Sequence, residues 1–115
     1  MIHKLLLITC LLLSSVKGID NDKLRHGNLN NFKEGQKVYL VDSKKIYLQL
    51  KPYKTIIKKN LKEGSAEHNK LMMEATTLYK DALSKSGYSL IVELDGVNKT
   101  LHKTEDVTQK IISLL

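Results

Sequence analysis

Lysine, tyrosine and glutamine share alternate positions in the stretch Lys45, Tyr47, Gln49, Lys51 and Tyr53, and Lys54 and Lys58 follow closely. In an extended chain such positions lie on one face. Ammonium groups would then stand beside flat phenol rings, a pairing that suits a ligand carrying negative charge and a surface to stack. Lys59 and Lys62 extend the same positive field.

The surrounding charge strengthens this reading. Lys33 to Lys62 holds nine lysines against Glu34 and Asp42, whereas Glu63 to Leu115 holds six lysines against eight acidic residues. The chain has a single arginine, Arg25. Planar, bidentate recognition of phosphate or carboxylate favours arginine's fork over lysine's point charge. The expected contact is therefore diffuse and sensitive to salt.

Other chemistries find less support. His26, His68 and His102 are far apart in sequence and show none of the close spacing by which zinc ligands announce themselves. Met72 and Met73 offer soft sulfur ligands, but on a helix they diverge by about 100°. No Gly-x-Ser-x-Gly elbow occurs and the glycines are scattered, so neither an activated serine nor a phosphate-cradling loop is expected. Glu93 and Asp95 lie beside a turn, where solvation explains them. The sequence is read as non-catalytic, with no metal and no cofactor.

The N-terminus reads as a leader. Lys4 precedes the apolar run Leu5 to Leu13, which is too short to span a bilayer, where about 20 residues are needed, and has the length of a secretory core. Val16 and Gly18 stand at the minus-three and minus-one places of a cleavage after Gly18. Cys10, the only cysteine, lies inside the apolar run with Thr9 before it and three leucines after it. That context does not fit lipid attachment, so Cys10 is expected to leave with the leader. The expected organisation is a signal peptide over 1–18, a flexible arm over 19–35 and one α+β domain over 36–115. The protein is read as secreted or periplasmic, folded without disulfides and monomeric, with only a transient membrane contact through the leader. Asn98-Lys99-Thr100 is a glycosylation sequon, relevant in a eukaryotic secretory pathway.

Periodicity supplies the elements. Val38 to Val41 alternates as a strand, and Ile46, Leu48 and Leu50 repeat the pattern after the turn signal Asp42-Ser43-Lys44. Pro52 is read as the end of that second strand, and the stretch 53–61 as a third. Ser65 caps a long helix whose stripe runs through Leu71, Met72, Ala75, Leu78, Tyr79, Ala82 and Leu83, with Leu78 as its core anchor and Gly87 as its C-terminal stop. Asp95-Gly96 reads as a tight hairpin turn, and Thr104 as the cap of a last helix. The predicted class is α+β, a small antiparallel sheet in the order β-β-β-α-β-β-α packed with one long and one short helix.

These features point to a small exported binding module whose basic face, comprising Lys45, Tyr47, Gln49, Lys51, Tyr53, Lys54 and Lys58, meets an acidic partner such as an envelope polymer or an acidic protein. Nucleic acid fits less well, since an exported protein rarely meets it. The alternative is an inhibitor or immunity-like protein acting through protein–protein contact at its loops.

Overall fold

Val38 to Val41 forms a strand as its alternation implies, but the residues that follow turn at once into helix. The computed structural model describes residues 15–115, so the reading of residues 1–14, Cys10 included, lies outside the described residues. The fold is α+β. Four strands, β1 (Leu24–His26), β2 (Val38–Val41), β3 (Ile91–Glu93) and β4 (Thr104–Asp106), make a mixed sheet in the order β1-β3-β2-β4. Four helices are described: α1 (Ser43–Tyr47), α2 (Lys51–Lys59), α3 (Ala66–Lys85) and α4 (Thr108–Ile112). The described residues divide into two compact units: 15–40 with 89–106, and 41–88 with 107–115.

The first unit is built around aliphatic side chains. Ile19, Leu29, Val38, Leu40, Leu90 and Val92 are buried together, with Val16, Leu24, Phe32, Leu94 and Val97 packed against them. β1 runs antiparallel to β3, pairing Leu24 with Val92, while β4 runs parallel to β2. The sheet is thus mixed where an antiparallel one was expected. The stretch 19–35, read as an arm, supplies buried Ile19, buried Leu29 and all of β1.

The hairpin expected at Asp95-Gly96 does not form. Gly96 N donates to the Glu93 carbonyl at 2.9 Å, so the chain turns there. Val97 then bridges to Ile19, and Thr104 lies in β4 without capping a helix. Gly96 is glycine for packing reasons: a Cβ there would collide with the Lys23 side chain and come within 2.8 Å of Val92 Cγ1.

The second unit corrects the reading of residues 44–61, which are helical. Asp42 Oδ1 accepts from Lys45 N and caps α1. Pro52 opens α2 where it was expected to end a strand; in the first turn its missing N–H has no helical partner to lose. Asn60 takes the left-handed conformation, φ +50°, and Leu61 N returns to the Ile56 carbonyl at 3.1 Å, which closes α2. α3 starts at the expected cap, Ser65 Oγ accepting from His68 N, and ends before Gly87 at φ +78°.

The buried line of α3 is Ala75, Tyr79, Ala82 and Leu83. Leu78 is 46% exposed, so it is no core anchor. At about 100° per residue it stands about 100° from Tyr79, at the margin of the stripe. Ile46 and Ile111, at 0% exposure, are buried in this unit with Val41, Leu50, Ile56 and Val107.

Candidate anion-binding face

The lysines of α2 owe their position to the helix itself. Lys51, Lys54 and Lys58 recur at three and four residues, so they share one side, within about 60° around the axis. Ile56 is the buried residue of the opposite side. All three lysines are exposed, as are Lys44 and Lys45 on α1. From Ser43 to Lys62 the chain carries seven lysines and no acidic residue.

Lys59 is the exception in that run, since its Nζ sits 3.1 Å from Glu67 Oε1. Lys51, Lys54 and Lys58 form no ion pair among the described residues. Each can swing toward a partner without first breaking an ion pair with a described residue.

The tyrosines have a different position. Tyr47 packs edge-on against Tyr79, ring centroids 5.2 Å apart, and against Tyr53 at 5.6 Å. Its hydroxyl lies 3.0 Å from Thr76 Oγ1, and Tyr79's lies 2.6 Å from Ser43 Oγ. Tyr47 and Tyr53 are half-buried and Tyr79 is buried. These rings join α1, α2 and α3 and are not free platforms for a stacked ligand. Gln49 is exposed between α1 and α2. The seven residues predicted as one pleated face are therefore split: Lys45, Gln49, Lys51, Lys54 and Lys58 face solvent, while Tyr47 and Tyr53 face their neighbours.

A second surface feature was not foreseen. Pro52, Ala66, Met73 and Leu78 line an open, mainly apolar groove, with Lys70 and Glu74 among its walls. Met73 is 72% exposed there. Its only sequence signal was the one already noted, that Met73 lies off the stripe that takes Met72.

Charge divides sharply between the units. The described residues of the sheet unit carry seven basic and seven acidic side chains, whereas the helical unit carries eleven lysines and five acidic side chains. Every net charge of the described protein thus resides in the helical unit. Among the described residues, no three histidine, cysteine, aspartate or glutamate side chains gather to hold a metal ion, and no helix is long and apolar enough to cross a membrane. Compared with known proteins, the chain matches no family model, no curated protein and no solved structure.

Proposed function

We propose that the protein is an exported, non-catalytic binding module whose helical unit attaches to an acidic partner, an envelope polymer or an acidic protein, through Lys44, Lys45, Lys51, Lys54 and Lys58. The observation that carries this reading is the run of seven lysines over α1, α2 and the turn after them with no acidic residue among them. A lysine set kept for solubility alone would be expected to be interspersed with acids, as the sheet unit's basic residues are. With lysine as the donor and the rings engaged elsewhere, attraction is long-range and weakly directional, which favours a polymer of repeated charge.

The test is retention on an immobilised acidic polysaccharide as salt is raised. The wild-type protein should elute late and shift steeply with ionic strength. Lys51→Glu/Lys54→Glu/Lys58→Glu should elute at low salt while melting as the wild type does. Equal retention of the two proteins would remove this reading.

The groove beside Met73 offers a surface for the alternative, an inhibitor-like contact with another protein, on helices α2 and α3 rather than at the loops expected from the sequence. Such a contact would bury Met73 and Leu78 and depend little on salt. Met73→Glu would abolish it and leave polymer retention nearly unchanged.

A further inference from the structure

The segment just after the apolar run of the leader is part of the folded sheet unit. Val16 packs against the core cluster and its carbonyl accepts from Ile19 N at 3.1 Å. The Lys17 carbonyl lies 2.6 Å from His102 Nε2, and the Gly18 carbonyl accepts from Asn98 N at 2.7 Å. Ile19 is only 7% exposed and bridges to Val97.

Gly18 has two competing explanations. As the residue before a cut, it would be small because a peptidase requires it. The fold supplies the other reason: φ is +83°, and a Cβ would stand 2.9 Å from Leu101 Cδ1 and 3.2 Å from His102 Nε2. The backbone conformation favours glycine here, and a Cβ would also require the exposed Leu101 side chain to shift.

We infer that leader removal stops short of Val16, at the bond after Ser14 or Ser15, so that Val16, Lys17 and Gly18 stay with the working protein. The step is hydrolysis by a leader peptidase. Water is consumed, the C–N bond breaks, the leader keeps the new carboxylate and the domain gains an α-ammonium at its new first residue. Ser14 and Ser15 are the first small residues after the apolar run. A cut there puts the new charge on exposed Ser15 or on half-buried Val16. A cut after Gly18 would discard the carbonyls that His102 and Asn98 contact, and the carbonyl of Val16 that accepts from Ile19 N.

This inference rests on the export reading, and one experiment separates the two. The full chain, with its own leader, is expressed in a secreting host, and the exported product is weighed and melted, alongside Gly18→Ala. A product beginning at Ser15 or Val16, with Gly18→Ala processed alike but melting lower, is the expected result. A product beginning at Ile19 overturns the inference and leaves export standing. A chain that still begins at Met1 overturns both. As a second measurement, a chain begun at Ile19 should melt about 5 to 15 °C below one begun at Ser15; equal melting would show that Val16 to Gly18 contribute nothing and would overturn the inference.

Discussion

Among the described residues, Lys23, Arg25 and Lys37 of the sheet unit each hold a carboxylate, at 3.4, 2.9 and 3.1 Å, whereas of the eleven lysines of the helical unit only Lys59 and Lys85 do. The sheet unit also spends its large aliphatic residues on one shared cluster. In the helical unit the long helix buries two alanines, Tyr79 and Leu83, and leaves Met73 and Leu78 outside. The first unit thus uses charge to tie neighbouring strands, as Arg25 of β1 does with Glu93 of β3. The second is held by apolar and aromatic contacts and leaves most of its lysines without an ion pair among the described residues. In one unit, removing a basic side chain should disturb the fold; in the other it should disturb only what the fold meets.

The largest expected effect tests the helical unit's architecture. Ile46 is 0% exposed and Leu48 is 42% exposed. Ile46→Ala should cost about 2 to 5 kcal/mol and Leu48→Ala under about 1 kcal/mol, measured by denaturant unfolding. On an extended strand the two residues would share a face and cost alike. Equal losses would therefore return residues 45–50 to the sheet and break the comparison.

That pair of residues also shows why this region was hard to read. A period of two and a period of 3.6 agree at positions i and i+4, and Ile46 and Leu50 satisfy both. Only Leu48 distinguishes them, and its being leucine argues for the strand that is not there. Pro52 misled in the same way, because proline ends a strand but is also tolerated in a helix's first turn. β2 and α3 were legible because their signals are redundant: a short unbroken run of β-branched, aromatic and aliphatic residues in the one, and a serine cap, a long apolar stripe and a closing glycine in the other. The partners of β2 were not legible, since the pairing of Val38 with Thr104 joins residues far apart in sequence and no local turn announces it. Of the candidate site, the lysines were readable as a charge run, but their common side came from a different periodicity than the one assumed. The tyrosines were misassigned because ring packing across helices leaves no trace in local spacing.

A smaller effect sharpens the role of those rings. Tyr47→Phe keeps both aromatic contacts and removes the hydroxyl that meets Thr76, so it should cost about 0.5 to 1.5 kcal/mol in thermal or denaturant unfolding. Retention on the acidic polymer should be unchanged. A loss of retention at unchanged stability would instead make Tyr47 a ligand contact and restore a mixed lysine and tyrosine face.

In the sheet unit, Arg25→Ala removes the 2.9 Å pair with Glu93, whose side chain is 13% exposed. The pair is only partly screened by solvent, so the expected cost is roughly 1 kcal/mol, at the upper end for surface pairs. Raising salt should shrink the difference between the wild type and the variant. No loss at low salt would mean that the strands hold without this pair.

The smallest expected effect on folding is the one that carries the functional contrast. Lys54 is exposed, forms no ion pair among the described residues and lies between Lys51 and Lys58 on the outer side of α2. Lys54→Gln keeps a good helix former and removes one charge, so stability should move by no more than about 0.5 kcal/mol. Binding should respond differently, because a field built from several ammonium groups weakens each time one is removed. Elution from the acidic polymer should fall stepwise in salt from the wild type to Lys54→Gln, to Lys51→Gln/Lys54→Gln and to the triple glutamine variant. The same stepwise series made in the sheet unit at Lys23 and Lys37 should leave elution nearly unaltered, because those charges are already held by Asp95 and Glu105. If both series lower retention equally, only net charge matters and the helical face has no special part; if only the α2 series does, the position of the unpaired lysines is what the partner reads.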